Sequence, residues 1–448
     1  MLETAKKLGL TPYPDSLVED VFMARNATGQ DVLVVGGEMR PLDYSAAMYL
    51  RQRFPFTAPV RVLGRPRTMG VGDRLGIAAP GHIRVFTQYD TTPVFAQQSI
   101  RELTLTNRTY EDVLACATFA VFREHYTGGF GADGDHLKRA EDVENALRIG
   151  YTMITLDCSD HIKGDGGSAS LSQTLRERYL GQRFDVGEGV SLSFTEKELG
   201  QIVHIYADAI DFAASIWERF FAGDKATADF EVSIDETATP TTPLQHFFVA
   251  NELARRGVRP ATVAPRFCGE FQKGIDYIGD LSQFDREMAV HATLARHFGY
   301  KLSIHSGSDK FSAFPSIGKH THGVFHVKTA GTNWLEAMRV VAQSDPALYR
   351  EVHAYALEAF HEATAYYHVT TNLDNIPALS SLSDEALPAL FDNNDARQMI
   401  HITYGLILNH GDFKQRLYAL WHTHAEAYAQ ALNQHIGRHL KELGVPER

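Results

Sequence analysis

The stretch Lys301–Asn333, KLSIHSGSDKFSAFPSIGKHTHGVFHVKTAGTN, reads as two strands that each end in a polar cluster. His305-Ser306-Gly307-Ser308-Asp309-Lys310 follows the first, and His326-Val327-Lys328-Thr329 closes the second. Short apolar strands with His, Asp and Lys at their C-terminal ends, joined by Gly/Ser loops, are what a parallel α/β barrel needs to build a site on one rim. The pattern predicts an enzyme.

Working outward, strand-like segments recur between amphipathic helical ones, the order expected of parallel strands. The expected strands are 73–79, 130–135, 151–157, 230–235, 261–267, 301–305, 324–328 and 366–370, with 399–404 competing for the last place. Helical patterns fall at 109–126, 140–149, 195–221, 243–256, 280–298 and 333–343, and Thr195 with Glu198 makes a capping box for the third. The prediction is a (β/α)8 TIM-like barrel over 67–375. An N-terminal extension (1–66, with a buried-strand pattern at Asp31–Gly37) and a C-terminal helical region (376–448, clearest at 379–391 and 414–443) would pack on it. The Gly-rich segment 159–189 reads as an inserted loop able to cover a site.

Composition narrows the partners. With 448 residues, 44% hydrophobic and 22% charged, the chain can bury a large core. A net charge of −12 argues against nucleic acid or an anionic membrane, because both reward clustered Lys and Arg. Three cysteines without CxxC spacing suggest neither a disulfide framework nor a thiolate zinc site. The start, MLETAKKLGLTPYPDS, has no apolar run of a signal peptide, and a cytoplasmic setting is expected. The oligomeric state stays open, a homo-oligomer included.

Strand alternation says which side chains face inward. In FEVSID (Phe230–Asp235) the apolar positions suit the helix side, which turns Glu231, Ser233 and Asp235 toward the axis, with Glu236 at the rim. The same parity pairs Asp133 with Asp135, Thr155 with Asp157, and His326 with Lys328. A purely structural barrel would fill such positions with Val, Ile and Leu.

Several long runs then carry a resemblance. GVGDRLGIAAPGHI (Gly70–Ile83), AQQSIREL (Ala96–Leu103), GADGDHLK (Gly131–Lys138), DETATPTTPLQH (Asp235–His246), APRFCGEFQKGIDYIGDL (Ala264–Leu281), HSGSDKF and HVKTAGTNW resemble the tagaturonate/fructuronate epimerase family, with its relatives acting on tagatose and fructose. The resemblance spans about Gly70–Trp334. It implies a divalent-metal-dependent inversion at C4 of a ketohexuronate or ketohexose. C4 of a 2-ketose is not adjacent to the carbonyl, so proton removal and return cannot invert it. A retro-aldol route can: a base takes the O4 proton, C3–C4 breaks, the aldehyde rotates and the bond re-forms on the other face. The enediolate fragment calls for a Lewis acid.

On that basis His136, Glu270, His305 and His326, each at or just beyond an expected strand end, are the metal ligands, with Asp235 or Glu236 interchangeable with them. Zinc, nickel, cobalt and manganese all suit such donors. Strand parity points His136 the wrong way, so it fits least well. Asp135 leads as general base, with Asp157 and Glu236 behind it, and each could equally bond a ligating histidine. Ser306, Ser308, Asp309 and Lys310 form a polar loop for substrate. Lys138, Lys328, Arg74 and Arg266 join Lys310 as cations for a sugar carboxylate. Two other readings compete: an aldolase, metal-dependent or forming a Schiff base on Lys328, and a carbohydrate-binding barrel without catalysis.

Overall fold

The structure is a computed structural model describing all 448 residues. The chain begins with a four-stranded antiparallel sheet, β1 (Thr11–Pro12), β2 (Val21–Arg25), β3 (Asp31–Val35) and β4 (Glu38–Arg40). β3 is the buried-strand pattern expected at Asp31. One face of this sheet packs Val21, Met23 and Leu33 against the helices Tyr44–Arg53 and Tyr110–Arg123, through Ala47, Leu50, Phe119 and Phe122.

The barrel follows, from β5 (Arg67–Val71) through β6 (Thr92–Ser99), β7 (Gly131–Leu137) and β8 (Met153–Asp157). A hairpin, β9 (Phe184–Gly187) and β10 (Val190–Leu192), interrupts it. The remaining strands are β11 (Asp229–Ile234), β12 (Thr262–Pro265), β13 (Lys301–Ile304) and β14 (Phe325–Thr329), and β14 pairs with β5 to close eight parallel strands. Alternation explains the layers. Met69, Ile154, Leu156, Phe230, Val232, Leu302, Ile304, Phe325 and Val327 face the surrounding helices and form the main apolar core. The opposite faces carry Thr68, Asp133, Thr155, Glu231, Thr262 and His326, all fully buried.

Two expected strands differ, and one barrel strand was not expected. The segment expected at 73–79 is a turn entering the helix Ala79–Gln88: the Asp73 carboxylate accepts the amides of Leu75, Gly76 and Ala78 at 2.8–3.0 Å, an arrangement that ends a strand. The strand itself lies earlier, in RTMGV, whose glycine and short length hide it. β6 was missed because TPVFAQQS carries a proline and two glutamines. Tyr366–Thr370, β-rich in composition, has no partner strand; Thr370 donates its amide and hydroxyl to Gln272 Oε1 at 3.1 and 3.0 Å. The competing segment 399–404 lies at the end of a helix, Asn394–Ile402. The capping box at Thr195 is present at the head of the helix Glu196–Phe220. The segment expected as a loop at 159–189 holds a short helix, Gln173–Tyr179, and strand β9.

The C-terminal helices build a second core around Trp334, Met399, Tyr404 and Trp421. The helix Ala425–Glu442 returns to the barrel, packing against Ala79–Gln88 and Thr332–Ser344. No helix is long and apolar enough to cross a membrane.

Candidate active site

The C-terminal ends of the strands open into a cavity of about 490 Å³, lined by only two hydrophobic residues. A second cavity shares Arg101, Asp235, Glu236, Lys273, His305 and Ser306 with it, so the two make one cleft.

At the base of this cleft, inside the barrel, lies a charged core. Lys328 on β14 reaches across the axis and donates to Asp133, Asp135 and Thr155 at 2.6 Å each, with Glu231 at 3.5 Å. Thr155 Oγ1 also bonds Asp133 and Glu231 at 3.0 Å, and Thr262 donates to Glu231 Oε2 at 2.5 Å. Burial opposes the Lys328 charge, yet the surrounding Asp133, Asp135 and Glu231 hold its pKa well above the usual lysine value. Burial, and then Asp135 and Glu231, push Asp133 up to about 6 against the pull of Lys328. Burial would also raise Asp135, but Lys328 and His136 hold it well below the carboxylate range.

Above this core, His136, Asp235 and His305 bring one ligand atom each to within 4.8 Å of one another. The two imidazole rings have centroids 4.9 Å apart. His305 Nδ1 lies 3.0 Å from Asp235 Oδ1, and its Nε2 lies 2.8 Å from the buried Glu231. His136 Nδ1 lies 2.7 Å from Asp135 Oδ1, leaving Nε2 toward the cleft, 3.9 Å from Glu236. His136 therefore has one nitrogen for a ligand and the other held by Asp135, while both nitrogens of His305 face carboxylates: a cation shared by Nδ1 and Asp235 would leave Nε2 braced by Glu231, the arrangement that fixes ring orientation in metal centres. Two imidazoles and a carboxylate fit a divalent transition metal. Burial opposes the charge on His305, but Asp235 and Glu231 hold its pKa up to about 10.

Strand parity alone would have turned His136 outward. The register between β7 and β8 shifts between Gly134 and Leu137, and His136 takes a left-handed φ of 54°. This bulge is the physical reason that adjacent Asp135 and His136 both reach the cleft.

The other expected residues are placed as follows. Asp157 is buried, lines the cleft, accepts the Ser159 amide at 2.8 Å and lies 3.8 Å from Lys138. Glu236 is exposed at the mouth. Ser306 and Ser308 line the wall, Ser306 with a left-handed φ of 48°. Lys138 lies at the rim, bonded to Asp160 at 2.7 Å.

Six are not brought to the metal-ligating trio or to the principal cavity: His326, Glu270, Arg266, Arg74, Asp309 and Lys310. His326 sits lower in the barrel, its Nδ1 2.9 Å from Thr68 Oγ1, and burial brings its pKa down to about 3. Glu270 lies on the outer wall of the second cavity, 3.5 Å from Arg266, which also donates to the carbonyl of Thr237. Arg74 is buried, paired with Glu102 at 2.8 Å and stacked over Tyr404. Asp309 is bonded to Arg397 and His435, and its amide donates to His439. Lys310 donates to the carbonyls of Gln272, Ile275 and Ser308, and burial lowers its pKa to about 7. Asp309, His435 and His439 also cluster closely, but Arg397 and the Asp309 amide already occupy this group, which reads as a clamp for the loop after β13.

Sequence reasoning missed Glu231 as the partner of His305, and Arg101 and Lys273 as cleft cations. Glu231 was legible as an inward residue on β11; nothing marked the two cations.

An eight-stranded parallel barrel whose rim gathers two histidines, several carboxylates and lysines in one polar cleft defines an α/β-barrel enzyme. The model of the tagaturonate epimerase family matches residues 4–443. The chain belongs to the tagaturonate epimerase family, and is thus an epimerase. It is 44% identical over 406 residues, 88% of its length and 84% of the relative's, to the tagaturonate/fructuronate epimerase of Thermotoga maritima. It is also similar to the fructuronate-tagaturonate epimerase of Cohnella laeviribosi, solved in a native form and with one glycerol bound. Both structures have a TM-score of 0.95 and 46% identity, over 99% of each chain.

Proposed function

We propose that this protein interconverts tagaturonate and fructuronate by inverting C4, with a divalent cation held by His136, Asp235 and His305. The observation that carries this reading is the three-residue ligand set, braced by Glu231 and Asp135, in the cleft of a chain that belongs to this family. When bound there, a divalent cation supplies positive charge that stabilises the enediolate left by C3–C4 cleavage.

The protein's own groups then divide the work. Asp135 is held by Lys328 and His136, which suits it to orienting the histidine more than to accepting a proton. Asp157 and Glu236 both line the cleft, one in its wall and one at its mouth. They serve as the acid/base groups at O4: one accepts the hydroxyl proton as C3–C4 breaks, and a proton returns to the same oxygen after the aldehyde has turned and the bond has re-formed. Replacing Asp157 by Asn or Glu236 by Gln should each lower kcat by roughly a hundredfold or more while leaving metal content intact. Lost metal in either variant would instead make that carboxylate a ligand or its support.

Identification of the products formed from tagaturonate, fructuronate, tagatose and fructose by metal-reconstituted protein tests the reading. It predicts interconversion of the two acids. Accumulation of the two three-carbon fragments, dihydroxyacetone and tartronate semialdehyde, would favour an aldolase.

A further inference from the structure

Most cations that line the cleft already face a carboxylate. Lys328 is held by Asp133 and Asp135, Lys138 by Asp160, Arg139 by Asp142 at 2.9 Å, and Arg266 lies near Glu270. Two form no ion pair. Lys273 Nζ donates to Ser306 Oγ at 3.2 Å, and Arg101 donates to the carbonyl of Tyr366 at 3.3 Å, its guanidinium 4.8 Å from the ring centre of Tyr367. Both line both cavities, and Ser306 directly follows the ligand His305.

The wall that carries Lys273 is built rigidly. Lys310, buried and bonded to three carbonyls, ties Gln272 and Ile275 to the loop after β13. Arg397 donates to the carbonyl of Gly274 at 2.7 Å, and Gln398 donates to that of Lys273 itself at 3.2 Å. His401 fills the space behind: a Cβ on Gly331, which lines the cavity, would lie 1.9 Å from its Cε1. The segment is thus pinned on both sides of Lys273, from the barrel and from the C-terminal helix. Burial and then the Arg101 charge lower the pKa of Lys273 below the usual lysine value. Two like charges sharing a polar wall repel, and an anion bound between them removes that cost.

We propose that Lys273 and Arg101 hold the C6 carboxylate of the ketohexuronate and select it over a neutral ketohexose, an inference that rests on the substrate reading above. Arg101 supplies the planar fork suited to a carboxylate, and Lys273 a point charge fixed by its backbone. No other cation lining the cleft is free to do so without giving up a carboxylate partner. This also accounts for how a chain of net charge −12 takes an anionic substrate.

The test compares wild type with Lys273→Met, Arg101→Gln, the double variant and Lys273→Arg. It measures kcat and KM for tagaturonate, and the inhibition constant of tagatose against tagaturonate turnover. Each single neutral variant should raise the tagaturonate KM roughly tenfold or more, with a smaller change in kcat. The tagatose inhibition constant should move by less than about twofold, and Lys273→Arg should recover most of the acid's affinity. Equal weakening of acid and neutral sugar, or an unchanged tagaturonate KM in the double variant, would overturn the assignment while leaving the epimerase reading intact. Arg101 is exposed to the cleft, so its variant should fold even if changes at Lys273 disturb the wall. A wild-type protein that epimerises neither acid would remove the substrate reading and this inference together.

Discussion

His305→Ala and His136→Ala should each abolish epimerisation and leave the protein with little bound metal. Each removes one of three donors that lie within 4.8 Å of one another. His305 also fills the space between Glu231 and Asp235, so its loss leaves two carboxylates facing an empty volume. In the proposed reaction a bound cation would stabilise the enediolate by several kcal/mol, so activity should fall on the order of a thousandfold or more. Glu231→Gln provides the graded companion: it keeps the side-chain shape but weakens the brace on His305, and should reduce metal affinity about 10–100-fold. Metal analysis of purified protein, alongside turnover after chelation and re-addition of zinc, nickel, cobalt or manganese, checks both. A fully active, metal-free His305→Ala protein would sink the ligand assignment.

Lys328→Met should cost about 3–5 kcal/mol of stability and remove activity as well. The lysine is the cation at the centre of Asp133, Asp135 and Glu231, and all four are buried. Taking it away leaves three carboxylates in a dry interior, which must then stay charged against one another or take up protons. The effect would spread to His136, because Asp135 is shared between the two. Denaturant unfolding read beside turnover separates the two losses. The same geometry weighs against a Schiff base on this lysine, since its amine is held protonated by its neighbours. Borohydride with substrate should therefore trap no adduct on Lys328, and an adduct there would revive the aldolase alternative.

The barrel was legible because alternation is robust where both faces of a strand are buried for different reasons. FEVSID and FHVKT each show apolar residues toward the helices and ionisable ones toward the axis, and β11 and β14 fall where that pattern places them. β5 and β6 escaped because Gly70, Pro93, Gln97 and Gln98 break the composition expected of strands. The parallel pairing of these segments with β14 and β7 is a tertiary fact that no local window contains. The site was legible in part for the same reason. His305 follows its strand and Asp235 shares the parity of Glu231, whereas His136 depends on a bulge that sequence does not announce. His326 looked equivalent to His305, yet it lies lower in the barrel, beside Thr68, because depth along the axis is set by strand stagger. Lys273 and Arg101 lie in loop and helix segments whose convergence only the closed barrel creates.

C4 inversion by carbon–carbon cleavage at the His136–Asp235–His305 centre is the proposed reaction. It is tested most directly by following tagaturonate with metal-loaded and metal-stripped protein in deuterium oxide by NMR. Fructuronate should form only with the loaded protein, and the hydrogen on C4 should be retained throughout, since it travels with the aldehyde carbon. Deuterium appearing at C4, or equal conversion by the stripped protein, would contradict it.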